Sequence, residues 1–129
     1  MEENKKSSCQ VLLIDDDEAV GASMAALFKS LGQQLEVARN GAAGLELIKA
    51  KQYDLVMTDM GMPGLDGCTL TRAIKTLRPR LPVAVVSGWS ETEIRERLAQ
   101  EDVRPDFILE KPLTSKAILA LLSTIRAGV

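Results

Sequence analysis

Short apolar runs alternate with amphipathic segments along nearly the whole chain. The runs are three to four residues long and end at polar or turn residues, which is typical of strands buried inside a sheet. They cover residues 11–14, 35–38, 55–57, 83–86 and 107–109.

The segment after each run carries apolar residues at helical spacing. Residues 20–31 place apolar side chains on one face of a helix that Gly32 can end. Asn40 and Ser90 are suitable N-cap residues for later helices, and Ser90 with Glu93 forms a capping box. Strands that alternate with helices in this way predict a doubly wound α/β sandwich, (βα)5, around a parallel sheet of five strands.

The fourth helix has a narrower apolar face than the others. Its apolar stripe consists of Ile94 and Leu98, while Glu91, Arg95 and Glu96 charge the exposed face. A narrow stripe buries little apolar surface, so we expect this helix to be held loosely against the sheet.

Length and composition are those of one globular domain. The chain has 129 residues, of which 46% are hydrophobic and 26% are charged. Residues 1–10 are mostly polar and lack the apolar core of a signal peptide, so we expect a flexible tail before a domain spanning residues 11–127. The apolar runs are too short to cross a bilayer, and the net charge is −2 with dispersed basic residues. These features favour a cytoplasmic protein without membrane insertion or direct nucleic-acid binding.

Two amino-acid counts restrict the chemistry. The sequence has no histidine, which excludes Ser-His-Asp and Cys-His nucleophiles and any histidine-ligated metal. Cys9 and Cys68 show neither metal-ligand spacing nor a disulfide framework, so reduced thiols are expected. Any active chemistry must therefore use carboxylates, hydroxyls and lysines.

Polar residues follow four of the five predicted strands. Asp15 and Asp16 follow the first strand, Asp59 the third, Ser87 the fourth and Lys111 the fifth. An aspartate before Gly and Pro is most often only a turn residue. However, the carboxyl ends of parallel strands border a common crevice, so these side chains are expected to converge.

Three converging carboxylates without a histidine or arginine would repel one another, and this favours a bound cation. Mg²⁺ prefers carboxylate and carbonyl oxygens and leaves positions open for water and phosphate. Asp16 and Asp59 are candidate direct ligands, the Gly61 carbonyl is a third, and Asp15 is suited to holding a coordinated water. A lysine and a hydroxyl beside this cation would form a site for a transferring phosphoryl group.

Four motifs together make the sequence resemble the receiver (CheY-like) domain of two-component response regulators. They occur in the family's order at residues 11–16, 54–67, 83–88 and 111–112, and the resemblance extends from about Val11 to Ile125. It implies a flavodoxin-like fold with strand order 2-1-3-4-5 and a cis peptide bond between Lys111 and Pro112.

The resemblance also implies a role for each candidate residue. Asp59 is the phospho-acceptor, Asp15 and Asp16 are the acid pair that serves Mg²⁺, Ser87 turns its hydroxyl toward the phosphoryl group, and Lys111 pairs with that group. The donor would be a histidine kinase or histidine phosphotransfer protein, and the reader a downstream protein or a linked output domain. Such a domain assists its own phosphorylation but turns over no separate substrate.

Three positions depart from the family's common pattern. Ile108 stands where many relatives carry a switching aromatic residue, and Phe107 would point to the opposite face of its strand. Gly61 and Trp89 occupy positions that modulate phosphoryl lifetime in the family. Gly61 has no side chain to position an attacking water. Trp89 has two interpretations: it screens the acyl phosphate from water, or it is simply a surface loop aromatic.

Two alternatives to a phosphoryl-accepting receiver domain remain open from the sequence. Asp15-Asp16-Asp17 superficially resembles the start of a haloacid-dehalogenase-like phosphohydrolase, but no acidic residue occurs after Glu110 to complete that metal site. A receiver-shaped module that binds partners without phosphorylation is a second alternative. Only Arg126 to Val129 follow the resemblance, which predicts either a stand-alone receiver or one domain of a larger protein. A homodimer that forms on phosphorylation is compatible with both.

Overall fold

A five-stranded parallel sheet lies between two layers of helices. The computed structural model describes residues 9–61 and 66–127. The strands are β1 (Gln10–Ile14), β2 (Gln34–Ala38), β3 (Leu55–Asp59), β4 (Val83–Ser87) and β5 (Phe107–Glu110). The helices are α1 (Glu18–Ser30), α2 (Gly41–Ala50), α3 (Gly67–Leu77), α4 (Glu91–Glu101) and α5 (Ser115–Arg126). Neighbouring strands follow the order β2-β1-β3-β4-β5, which confirms the predicted topology.

Strand β1 begins one residue before the predicted domain boundary at residue 11. Gln10 is the first residue of β1 and pairs with Gln34, and its backbone N–H donates to Asp54 Oδ2 at 2.7 Å. Cys9 is buried and donates its backbone N–H to Gln33 Oε1. β1 therefore begins inside the predicted tail of residues 1–10, because the polar side chain of Gln10 hides the start of the strand from the apolar pattern. Residues 1–8 of the predicted tail, and residues 62–65 of the second motif, lie outside the described residues.

The central strands are buried on both faces, as their uninterrupted apolar runs predict. Alternate side chains of β1, such as Val11 and Leu13, pack with α1 and α5, where Phe28 is fully buried. Leu12 and Ile14 point to the other face and pack against α2 and α3. The sheet therefore separates two apolar clusters, and packing on both faces fixes the positions of the strand ends.

Helix α4 packs on a third and smaller apolar cluster. Ile94 and Leu98 are buried there, together with Cys68, Val85 and Val103. Both residues of the narrow apolar stripe are therefore buried, although the cluster that they join is small. Whether α4 is loosely held stays a prediction.

The two first residues of β5 face opposite sides of the sheet, as the sequence predicts. Ile108 packs against the α4 cluster, whereas Phe107 packs against the cluster beneath α1 and α5. An aromatic ring at position 107 is therefore separated from α4 by the sheet itself.

The helix caps confirm the local signals in the sequence. Asn40 and Thr114 accept from backbone N–H groups of α2 and α5, and Ser90 with Glu93 forms a complete capping box. Gly32 has a φ of 71°, and its N–H donates to Lys29 O, which ends α1 in a left-handed cap. None of the helices in the described part of the chain has the length and hydropathy needed to span a bilayer.

Gly67 is required by a close approach between α3 and the end of β3. Its N–H donates to Met60 O at 2.9 Å. A Cβ at this position would lie 2.8 Å from Asp59 O and 2.8 Å from Met60 Cα. Both are backbone atoms, which cannot move aside as a flexible side chain would.

We therefore expect Gly67→Ala to lower the free energy of unfolding by about 1–3 kcal/mol, the usual cost of forcing an extra carbon into a packed site. This is opposite in sign to the gain that alanine normally brings to a helix. Urea denaturation measures it, with Gly88→Ala as the control because a Cβ there would have nothing within 4 Å. A Gly67→Ala protein as stable as the wild type would contradict the close approach.

Candidate functional site

The predicted site residues meet at the carboxyl edge of the sheet. Asp59 ends β3 and is the register partner of Val86, so it lies beside the end of β4. Ser87 is the last residue of β4, and its carbonyl accepts the backbone N–H of Lys111 at 2.7 Å. The parallel register therefore delivers one functional side chain from each of β3, β4 and the turn after β5, next to the acids that follow β1.

Three carboxylates form the centre of this site. Asp15, Asp16 and Asp59 each offer an oxygen, and these oxygens lie within 4.8 Å of one another. Asp15 is buried with 2% of its surface exposed, whereas Asp16 is exposed and Asp59 lies between the two. All three donors are hard oxygens that lie close enough together to share one ion, so the site fits a hard divalent cation.

Lys111 bridges two of the carboxylates. Its Nζ lies 3.3 Å from Asp59 Oδ1 and 3.6 Å from Asp15 Oδ2. The peptide bond between Lys111 and Pro112 is cis, as predicted. The ammonium group therefore sits directly beside the proposed acceptor oxygen.

Burial raises the pKa of Asp15 above its ordinary value. The nearby charges of Asp59 and Asp16 act in the same direction. A hydrogen bond from the Asp17 backbone N–H to Asp15 Oδ1, at 2.9 Å, and the charge of Lys111 oppose the shift. The folded protein thus holds the Asp15 carboxyl where solvation is poor. A bound cation would stabilise the charged form of this group.

Ser87 is held by the loop that follows it. The side chain is 3% exposed, and its Oγ accepts the backbone N–H of Trp89 at 3.0 Å. The Trp89 side chain itself is 42% exposed. A change in the hydrogen bonding of the Ser87 hydroxyl would therefore alter a contact that holds the loop between β4 and α4.

Gly61 is exposed, and a Cβ placed on it would meet none of the described residues within 4 Å. Its effect on the lifetime of a phosphoryl group stays a prediction. The role of the Gly61 carbonyl as a ligand stays a prediction.

An apolar cavity of about 550 Å³ adjoins the site, and sequence patterns did not reveal it. Asp15 and Lys111 are among its lining residues, together with residues of α1 and residues after β5, including Val20, Met24 and Leu113. A larger cavity of about 810 Å³ is lined by Tyr53, Leu77, Pro79 and Ile125 among others, and none of the predicted site residues lines it. The site is therefore identified by its charged and hydroxyl side chains and not by the size of a cavity.

Comparison with known proteins decides the family. Residues 11–123 match the sequence model of the response regulator receiver domain, which is most of the chain. The chain belongs to this family. Its receiver domains act in two-component signalling, where response regulators interact with kinases and output domains. This membership overturns the haloacid-dehalogenase-like alternative.

Individual relatives agree with this assignment. Response regulator MprA of Mycolicibacterium vanbaalenii is 31% identical over 116 residues, which cover 90% of this chain and 49% of that protein. The receiver domain of Francisella response regulator 1452 has a TM-score of 0.80 at 26% identity, with 92% of this chain and 97% of that chain covered. Chemotaxis protein CheY4 of Vibrio cholerae shares the fold at 17% identity, with a TM-score of 0.79 and coverage of 92% and 98%. The chain spans about half the length of the MprA proteins that it matches.

The pKa of Asp15 gives this receiver domain a predictable pH dependence. Because burial raises the pKa in the folded state, the folded protein binds more protons than the unfolded chain between the two pKa values. The contribution of Asp15 to stability therefore falls as the pH rises through that window. Asp15→Asn keeps an acceptor for the Asp17 N–H and removes the buried charge.

We expect Asp15→Asn to raise the free energy of unfolding at pH 7 in EDTA, on the order of 1 kcal/mol, the cost of leaving a group poorly solvated. The gain should shrink as the pH is lowered toward the ordinary aspartate pKa of about 3.9. Urea denaturation at several pH values measures this, and Asp16→Asn controls for net charge because Asp16 is exposed. A loss of stability at pH 7 would show that the Lys111 ion pair outweighs burial.

Proposed function

We propose that this receiver domain accepts a phosphoryl group on Asp59 in a Mg²⁺-dependent reaction. The observation that carries the proposal is the position of Lys111 Nζ, 3.3 Å from Asp59 Oδ1, within an acidic cluster that fits a hard cation. A carboxylate with a cationic group on one side and ligand oxygens on the other is suited to attack on phosphorus.

The residues that would hold Mg²⁺ are Asp15, Asp16, Asp59 and the carbonyl of Gly61. When bound, the ion supplies positive charge that neutralises the phosphoryl oxygens. Asp15 suits the role of holding a coordinated water, since its buried carboxylate already receives the Asp17 N–H.

The bonds that form and break in the transfer lie between Asp59 and the donor. A carboxylate oxygen of Asp59 attacks the phosphorus of a phosphohistidine on a kinase or phosphotransfer protein. The new O–P bond makes an acyl phosphate as the N–P bond breaks, and the imidazole nitrogen keeps the electron pair of that bond. Lys111 then exchanges its contact with the carboxylate for one with a phosphoryl oxygen.

Ser87 connects the phosphoryl group to the surface. To donate to a phosphoryl oxygen, its hydroxyl must reorient, and this changes the hydrogen bond that it accepts from Trp89 N–H. The loop before α4 would shift in response, and a downstream protein or linked output domain would read that shift. Ile108 packs within the α4 cluster, so the change is transmitted by packing rather than by rotation of an aromatic ring.

Intact mass spectrometry after incubation with a small-molecule phosphodonor tests this function. We expect one phosphoryl adduct in the presence of Mg²⁺, none with excess EDTA, and none for Asp59→Asn. Lys111→Met should slow adduct formation by at least about ten-fold, because one close charge contact is lost. If the wild-type protein forms no adduct under conditions that label another receiver domain, this chain is a binding module that works without phosphorylation.

Trp89 is proposed to shield the acyl phosphate from water. We expect Trp89→Ala to shorten the half-life of phosphorylated Asp59 by about two- to ten-fold, an effect worth about 0.4–1.4 kcal/mol in the barrier. Loss of the adduct is followed by mass after the donor is removed. Leu119→Ala is the matched control, since Leu119 is similarly exposed at 43% but belongs to α5. Equal half-lives would make Trp89 a simple surface aromatic.

A further inference from the structure

Two arginines cross the groove between α3 and α4 in opposite directions. Arg97 of α4 places Nη2 3.2 Å from Oδ2 of Asp66, the residue that precedes α3. Arg72 of α3 donates from Nη2 to the backbone carbonyl of Glu101, the last residue of α4. The proposed phosphoryl site uses none of these four residues.

Asp66 is fixed in place by a second bond. Its Oδ1 accepts the backbone N–H of Thr69 at 2.9 Å and so caps α3, while its Oδ2 faces Arg97. Arg97 Nε also lies 3.7 Å from Glu101 Oε2, on the next turn of α4. The Asp66–Arg97 pair therefore joins the start of α3 to the middle of α4 with both partners oriented by their own helices.

The start of α3 is also fastened to the proposed acceptor. Gly67 donates its N–H to Met60 O, and the position of its missing Cβ lies 2.8 Å from the carbonyl oxygen of Asp59. Only one peptide bond separates Gly67 from Asp66. A displacement of α4 that Arg97 transmits to Asp66 would therefore act on a segment that contacts the backbone of Asp59.

Apolar packing leaves α4 dependent on such polar contacts. Within α4 only Ile94 and Leu98 are buried, and the cluster around them is smaller than the other two. The ion pair is half-exposed, with side-chain exposures of 38% and 36%, so it contributes modestly to stability. An interaction of this strength can shift the equilibrium between two positions of a helix without making one of them permanent.

We propose that the Arg97–Asp66 ion pair, supported by Arg72, is a brace that holds α4 in its resting position and so weakens the response to phosphorylation. The inference rests on the proposed function. Arg97 is a positioning residue, which acts on the acceptor site through Asp66 and the start of α3.

Two substitutions remove the brace and leave the surrounding structure in place. Asp66→Asn keeps an oxygen that can cap α3 but loses the charge that binds Arg97. Arg97→Gln keeps a long polar side chain and loses the same ion pair. Arg95→Gln is the matched control, because Arg95 lies on the same helix and pairs only within it, with Glu91, among the contacts of the described residues.

The first measurement is hydrogen exchange of the α4 backbone amides in the unphosphorylated protein. We expect exchange to rise about two- to five-fold more in Asp66→Asn and in Arg97→Gln than in Arg95→Gln, because only the first two variants lose a contact between α3 and α4. The double variant should exchange no faster than Arg97→Gln alone, because Arg97→Gln already removes the ion pair with Asp66 together with the longer contact to Glu101. Rates equal to those of Arg95→Gln would overturn the brace.

The second measurement is the affinity for beryllofluoride in the presence of Mg²⁺, as a probe for the phosphoryl group. If the brace opposes the active position of α4, its removal should tighten binding by the same two- to five-fold factor. A wild-type protein that binds no beryllofluoride would overturn the proposed function and this regulatory role together. Binding that is equal in all variants would overturn only the regulatory role, even if exchange in α4 becomes faster.

Discussion

Repulsion between three carboxylates is the constraint on which the site depends. The oxygens of Asp15, Asp16 and Asp59 lie within 4.8 Å of one another because β1 and β3 are hydrogen-bonded neighbours whose register the buried core enforces. Only one ammonium group, that of Lys111, balances them among the ion pairs of the described residues. The apolar clusters on both faces of the sheet thus supply the energy that holds like charges together, and the site retains an excess of negative charge.

Local chemistry made much of the fold predictable from the sequence. Strand ends, the caps at Asn40 and Ser90 and the left-handed turn at Gly32 each depend on a few adjacent residues, and the structure confirms them. The site followed from one additional rule, that parallel strands end at the same edge. Boundaries were less certain, since Gln10 is polar and joins β1 only through its pairing with Gln34.

Contacts between distant side chains were beyond the sequence patterns. Asp66 and Arg97 are 31 positions apart, and nothing in their local surroundings indicates that they meet. No sequence pattern distinguishes Gly67, although its small size is imposed by the backbone of Asp59 and Met60. The same limit applies to the hydrogen bond from Trp89 N–H to Ser87 Oγ, because side-chain rotamers near a turn depend on the packed surroundings.

The position of Trp89 also gives the protein an internal optical probe. The sequence contains one tryptophan, and its backbone amide is bonded to the serine hydroxyl that the phosphoryl group would attract. Indole emission responds to solvent contact, and this ring is already partly in water. Tryptophan emission, excited at wavelengths that Tyr53 does not absorb, therefore originates from a single loop, so that events at the carboxyl edge of the sheet can be followed in real time without attaching a dye.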